Sequence, residues 1–161
     1  MKITPDGAGG ARVRLNLAES HVLEQLFHEL EDVLDPDVLG RDDPVRRRLY
    51  PAAYDDAAEA QAYRELTEAG LQADRLDRVD ECLADLRAGR SIRRTEVALD
   101  GESAERWLRV LNDLRLAFGT RLQISEDDDY ELDETDPEVQ LKARYLWLTA
   151  LQDGLVTTLM G

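Results

Sequence analysis

The stretch Trp107-Leu-Arg-Val-Leu-Asn-Asp-Leu-Arg-Leu-Ala-Phe-Gly119 decides the fold, because its apolar residues recur at helical spacing. At about 100° per residue they share one side of a helix, and that side must pack against other elements to leave water. Arg115 projects into the same side, between Ala104 and Leu108, so the spacing predicts a guanidinium carried toward the core. The predicted apolar side comprises Ala104, Trp107, Leu108, Leu111, Leu114 and Phe118.

Arg115 is the best candidate for a functional site, because a buried charge needs a partner. Removing the partner of a buried guanidinium costs about 3–5 kcal/mol. Glu65 borders the thin alanine face of a helix predicted over 55–69, so Glu65 or Asp55 is the expected partner. We favour a buried ion pair between two helices, whereas a concave pocket at Arg115 would favour a small-anion site or an active site. The predicted cluster comprises Arg115, Asn112, Asp113, Glu65, Asp55 and Tyr54.

Helical spacing continues through most of the chain and predicts a mainly α fold of about five helices. Gly70 is expected to separate two of them, because glycine commonly ends helices. The last helix is apolar almost all round in its second half, which is typical of the middle of a bundle or of a subunit interface. We favour the middle, and a homodimer is the alternative. Besides the Trp107 helix, the predicted helices cover 19–34, 55–69, 71–86 and 136–159, with 44–49 either a short helix or a turn-rich connector.

Two short stretches alternate between polar and apolar residues, which is typical of half-buried strands. They lie at 11–17 and 94–99, each just before a helix, and we expect them to pair into one small two-stranded sheet. Residues 1–10 are expected to form a flexible tail, and residues 125–136 an acidic loop. The length of 161 residues and the 43% hydrophobic content fit a single domain over 1–161.

Charge and composition exclude several classes of function. The 35 acidic and 20 basic residues give a formal net charge of −15, so a nucleic-acid backbone would be repelled. No apolar run suits a signal peptide or a membrane span, so we expect a cytoplasmic protein that binds no membrane. Cys82 is the only cysteine, which excludes an intramolecular disulfide, and we expect it to be buried as a small apolar residue.

The sequence predicts no metal site and no cofactor. His21 and His28 share a polar helix face, but their rings would lie roughly 10 Å apart along the axis, too far to share one ion. Counted from Asp127 to Glu138, the acidic stretch has the carboxylate spacing of a calcium loop. Leu132, however, occupies the position that needs glycine, and Pro137 interrupts the end of the loop. The sequence also lacks a nucleophile with its base, so we expect no enzymatic activity.

The densest positive charge lies before the predicted 55–69 helix, where three arginines are consecutive. We expect these arginines to pair with the surrounding acidic surplus, and an anion site is the alternative. Tyr50 and Tyr54 are expected to anchor this connector to the core. The candidates for contact with a partner are Arg46, Arg47, Arg48, Tyr50 and, in the acidic loop, Tyr130.

Four further blocks stand out in the chain. They are Arg48-Leu-Tyr-Pro-Ala-Ala-Tyr-Asp-Asp56, Tyr63-Arg-Glu-Leu-Thr-Glu68, the Trp107 helix extended to Leu122, and Tyr145-Leu-Trp-Leu-Thr-Ala-Leu-Gln152. In this order they resemble an actinobacterial domain-of-unknown-function family, also called the oxidative-stress regulator family. The resemblance implies a cytoplasmic regulator that acts by binding other proteins, such as a sigma factor. The family's redox version resembles a two-cysteine switch near the amino terminus, where this sequence has no cysteine.

Two classes of function follow from these observations. We expect a regulatory protein that binds a basic surface on another protein, because its negative charge would speed encounter with a positive partner. The alternative is a small-anion-binding protein or an enzyme with its site around Arg115.

Overall fold

The computed structural model describes residues 1–35, 38, 40, 43–50, 57–124, 132 and 135–161, and for 57–69 it describes the helical backbone alone. The described part contains five helices and one small sheet, which confirms the mainly helical fold. The order of elements is β1 (Lys2–Pro5), β2 (Ala11–Leu15), α1 (Leu17–Leu34), α2 (Pro44–Leu49), α3 (Ala57–Ala88), β3 (Thr95–Leu99), α4 (Gly101–Arg121) and α5 (Val139–Met160).

The three strands form one antiparallel sheet in the order β1-β2-β3. The predicted pairing of the two alternating stretches is confirmed, with Val13 of β2 opposite Val97 of β3. The prediction of only two strands is wrong, because residues that were assigned to a tail form β1, in which Ile3 lies opposite Val13. Long-range packing positions this strand. A side chain at Gly154 of α5 would place its Cβ 2.8 Å from Cδ1 of Ile3, so β1 lies directly against α5.

Both strands of the predicted pair lead straight into a capped helix. Asn16 follows β2, and its side chain accepts a hydrogen bond of 2.9 Å from the backbone N–H of Glu19 in α1. Asp100 follows β3 and accepts a hydrogen bond of 2.9 Å from the backbone N–H of Ser103 in α4. These side-chain oxygens satisfy backbone donors that a helix leaves free in its first turn. The caps therefore fix the points at which α1 and α4 leave the sheet.

Trp107 lies at the centre of the core and is 0% exposed. Its ring meets the ring of Phe27 edge to face, with the centroids 5.7 Å apart. Its indole N–H donates a hydrogen bond of 2.9 Å to Oδ2 of Asp85. Trp107 thus joins α4 to α1 and to α3. Cys82 packs into the same core and is fully buried, as the sequence predicts.

α3 runs without a break from Ala57 to Ala88, a length of 32 residues. The prediction of two helices separated at Gly70 is therefore wrong, although the total of five is right because α2 supplies the fifth. An interior glycine costs a helix only about 1 kcal/mol, which the backbone hydrogen bonds on either side and the packing of α3 outweigh.

α5 lies at the edge of the core, which corrects the prediction that it occupies the middle of a bundle. Its buried residues are Leu148, Leu151 and Leu155, which form one narrow stripe toward α4 and the sheet. Trp147 is half-buried, and 83% of Met160 is exposed. The apolar character of α5 therefore exceeds what the described core covers. Neither α5 nor any other described helix is long and apolar enough to cross a membrane.

We predict that Gly70→Ala stabilises the protein by about 1 kcal/mol, because alanine is the better helix former. The added methyl group would meet no atom within 4 Å. The free energy of unfolding, measured by urea denaturation with circular dichroism, checks this prediction. Gly89→Ala is the contrasting variant and should be strongly destabilised, since its Cβ would lie 2.3 Å from the carbonyl oxygen of Glu96. A loss of stability in Gly70→Ala would show that a helix ends at Gly70.

Candidate functional site

The buried side of α4 is rotated away from the one that the sequence predicts. Asp113 is 7% exposed and counts among the buried residues, whereas Arg115 is half-buried. The expectation that Arg115 lies inside the apolar side needs correction, because Val110 and Ala117 are buried while Leu108 is only half-buried. α4 therefore carries one charged residue along each border of its buried side.

Arg115 is held in place by two residues of α5. Its Nη1 donates a hydrogen bond of 2.8 Å to Oε1 of Gln152, and its guanidinium carbon lies 5.8 Å from the centre of the Tyr145 ring. Among the described residues, no carboxylate forms a salt bridge with Arg115, and its buried Nε has no hydrogen-bond acceptor. The side chains of the expected partners, Glu65 and Asp55, lie outside the described part, so that pairing stays a prediction.

Arg115 lies in the wall of an open groove with a volume of about 840 Å³. The groove follows the second half of α4 and the first half of α5, and α2 contributes Arg48 to it. Apolar side chains, among them Leu116, Ile124 and Leu146, form much of the remaining wall. Small-molecule sites typically have volumes of about 300–1,000 Å³. A concave pocket thus opens onto Arg115, which is the feature that favours an anion site over a buried ion pair.

Asp113, the other charged residue at the border of α4, has different surroundings. Its Oδ2 lies 3.6 Å from Nε of Arg75 in α3. The guanidinium carbon of Arg75 in turn lies 4.7 Å from the centre of the Tyr50 ring. Burial raises the pKa of the Asp113 carboxyl, and the positive charge of Arg75 only partly offsets this effect. The ion pair joins α3 to α4, and the sequence analysis did not anticipate it.

The structure separates residues that the sequence groups together. Asn112 is exposed and does not line the groove. Of the three consecutive arginines, Arg48 lines the groove, Arg46 is half-buried and Arg47 is exposed. Tyr50 packs against the core, which agrees with its predicted role as an anchor. The structure does not describe Tyr54, Asp55, Tyr130 or the side chain of Glu65, and their roles stay predictions.

Tyr145 and Gln152, which position Arg115, were not predicted from the sequence. They lie seven residues apart in α5, about two turns of helix, and therefore face the same side. Gln152 is one of few polar residues in the apolar second half of α5, and this departure from the pattern is a signal that could have identified it. Tyr145 gives no such signal, since an aromatic residue in this helix looks like part of the core.

The described residues provide hydrogen-bonding and charged groups for binding, and they provide few groups that could react with a substrate. No three described histidine, cysteine, aspartate or glutamate side chains are placed to hold a metal ion together. Burial raises the pKa of the Cys82 thiol to about 12, so the thiol stays protonated at neutral pH. Cys82 therefore lacks the exposed thiolate that a reactive cysteine needs.

The fold and the groove together define a class of protein that is mainly helical, with a small antiparallel sheet and an arginine-lined groove between helices. Residues 1–159 match the family model described as a domain of unknown function, DUF2017, and the chain belongs to this family. The resemblance inferred from the sequence is thereby confirmed. No solved structure gives a significant match to this chain.

Curated relatives share one segment with this chain. They are the proteins named Oxidative stress regulator AosR from Mycobacterium bovis (strain ATCC BAA-935 / AF2122/97) and from Mycobacterium tuberculosis (strains CDC 1551 / Oshkosh and ATCC 25618 / H37Rv). Each is 40% identical to this chain over 63 residues, which cover 39% of this chain and 29% of the relative. The match thus spans less than a third of the relatives' length.

We predict that acidification stabilises the wild type relative to Asp113→Asn. Burial raises the pKa of Asp113 in the folded state, so the ionised carboxyl lowers the stability of the fold at a pH above that pKa. As the pH falls, the folded protein takes up the proton before the unfolded chain does, and this loss of stability disappears. Urea denaturation at several values between about pH 7 and pH 4 measures the difference in unfolding free energy. The prediction is wrong if acidification leaves the difference in unfolding free energy between the wild type and Asp113→Asn unchanged, or if it destabilises the wild type relative to the variant.

Proposed function

We propose that this protein is a regulator that acts by binding another protein and performs no chemistry of its own. The outward face of α5 is the observation that supports this proposal most directly. Ala150 and Met160 are exposed there, and Leu146 is half-buried beside them. Among the exposed residues of α5, Asp153 is the only charged one. The other exposed residues of α5 are Gln140 and Thr157, so the helix presents a single exposed charge on a strongly charged protein. Depletion of charged residues is typical of a surface that another protein covers.

The charge of the chain indicates the kind of partner. The formal net charge is −15, and the acidic stretch 126–136 precedes α5 directly in the sequence. A weakly charged face that includes Ala150 and Met160 and is flanked by negative charge favours a partner surface that is both basic and apolar. The same charge disfavours a homodimer through this face, because two copies would bring like charges together. It also disfavours direct contact with nucleic acid.

The relatives support a regulatory role through their name, oxidative stress regulator. A sigma factor in the cytoplasm is the partner that we propose on the basis of the family resemblance. Direct sensing of an oxidant by a thiol is not part of this proposal. Cys82 is buried, and its high pKa of about 12 leaves little thiolate to react.

We predict that the association rate with the partner falls at least about tenfold between roughly 50 and 500 mM NaCl, because salt screens the attraction between opposite charges. Affinity capture from the cytoplasm of source cells supplies the partner, and a purified sigma factor is the first one to measure. Biolayer interferometry at a series of salt concentrations then gives the rate.

A pair of variants tests the contact surface. Ala150→Lys should weaken binding about tenfold or more, since it places a long positive side chain on the outward face of α5. Ala84→Lys, on the exposed side of α3, makes the same change in net charge and should have little effect. Equal effects of the two variants, an association rate that ignores salt, or turnover of a small molecule by the purified protein would contradict the proposal.

A further inference from the structure

Two arginines, Arg48 and Arg115, line one groove without forming a salt bridge to any described carboxylate. Arg78, Arg93 and Arg121 also form no salt bridge with a described residue, so it is the shared groove that sets Arg48 and Arg115 apart. Nine other described arginines form ion pairs, namely Arg12, Arg14, Arg75, Arg87, Arg90, Arg94, Arg106, Arg109 and Arg144. The described lining of the groove is therefore locally basic on an acidic protein.

The guanidinium of Arg115 is oriented by its neighbours, and no described carboxylate neutralises it. Gln152 accepts a hydrogen bond from Nη1, and the ring of Tyr145 lies beneath the guanidinium. Both contacts restrict the side chain, and neither supplies a negative charge. The buried Nε also lacks an acceptor among the described residues. A guanidinium restrained in this way loses little further freedom when an oxyanion binds to its remaining donors.

Besides the side-chain amide of Gln123, the described lining of the groove offers few further donors. The hydroxyl of Thr120 donates a hydrogen bond of 2.8 Å to the carbonyl oxygen of Leu116, and the hydroxyl of Thr149 donates one of 3.0 Å to that of Tyr145. Their hydrogens are therefore not available to a ligand. Ile124 adds an apolar side chain to the wall. A ligand that fits must place its charge at the arginines and an apolar body along the remaining wall.

The position of the groove favours a carboxylate over a phosphate. Gly119, Thr120 and Ile124 lie at or just after the last turn of α4, where the negative end of the helix dipole disfavours a phosphate dianion more than a carboxylate monoanion. Phosphate sites are commonly built at helix N-termini or from glycine-rich backbone donors, and the described lining provides neither. A monoanion that a guanidinium binds through two oxygens needs fewer donors than a dianion does.

We propose that this groove binds a small organic acid whose carboxylate is carried on an apolar or aromatic body. Arg115 binds the carboxylate, Arg48 adds a second positive charge at the exposed rim, and Leu116 and Ile124 contact the apolar part. The cavity volume of about 840 Å³ suits a molecule of this kind. The proposal goes beyond protein binding and does not depend on it, because the cationic residues that carry it are not part of the outward face of α5.

The test uses 3-phenylpropionate as the probe and the full chain as the protein. Titration followed by ¹⁵N NMR should give a dissociation constant on the order of 0.1–1 mM, with the largest shifts at the amides of Gly119, Thr120 and Thr149. The neutral analogue 3-phenylpropanamide should bind at least about tenfold more weakly. Absence of binding, equal binding of the amide, shifts centred elsewhere, or tighter binding of phenyl phosphate would overturn the proposal.

Three glutamine variants test which arginine binds the carboxylate of the probe. Arg115→Gln should weaken binding about tenfold or more, and Arg48→Gln about threefold, because Arg48 lies at the rim. Arg48 is exposed and has no described ion pair, so its variant keeps the test valid even if Arg115→Gln unfolds. Arg109→Gln is the matched control on α4, at an exposed arginine that pairs with Glu105. If Arg48→Gln and Arg109→Gln weaken binding equally, net charge alone explains the effect and the proposed site is wrong.

Discussion

The burial of Trp107 is the constraint on which the arrangement of the helices depends. Its indole N–H lies where water does not reach, so a missing acceptor would cost about 1–3 kcal/mol. Asp85 of α3 supplies that acceptor and also accepts a hydrogen bond of 3.1 Å from Arg106. Arg106 reaches Glu81 one turn earlier in α3, at 2.7 Å. Two neighbouring residues of α4 are thus tied to two carboxylates of α3, and Phe27 closes the other side of the indole.

The buried side of α4 is bordered by Asp113 on one edge and by Arg115 on the other, and the two charged residues have different surroundings. Asp113 faces α3, where Arg75 partly compensates a carboxylate that burial disfavours. Arg115 faces α5, where Gln152 and Tyr145 orient a guanidinium that opens onto solvent. The first arrangement fixes how two helices meet. The second leaves a charge available in a concavity, and this difference is why the groove, and not the buried pair, is the place to look for a ligand.

Much of the fold follows from the local pattern of the sequence. The alternation around Val13 and Val97 predicts the central strand pair, and the 3.6-residue spacing around Trp107 predicts α4, because both signals come from adjacent residues. β1 could not be predicted in this way, since four residues carry almost no periodicity and Ile3 is positioned by α5. Gly70 locally indicates a helix end, but the local pattern does not contain the packing that keeps α3 continuous.

The candidate site was predictable in its centre but not in its surroundings. Arg115 stands out in the sequence as a charge among apolar residues. The sequence does not show, however, that the buried side of α4 extends toward Asp113 and away from Arg115, because this depends on the burial of Val110 and Ala117. Its partners Gln152 and Tyr145 lie far along the chain, and no local rule connects them to α4. The sequence therefore pointed to the residue and to the need for a partner, while the identity of that partner depended on how α5 packs.

The contact of Ile3 with Gly154 joins elements from opposite ends of the described chain. A ribosome releases β1 and β2 long before α5, so the side of Ile3 that α5 covers stays exposed during most of synthesis. Contacts between residues so distant in sequence form slowly, because a long loop must close first. A chain that stops before α5 would leave this apolar surface, and the α4 residues that α5 covers, open to chaperones and proteases. The contact between β1 and α5 thus makes the burial of the amino-terminal strand depend on the synthesis of a helix far along the chain.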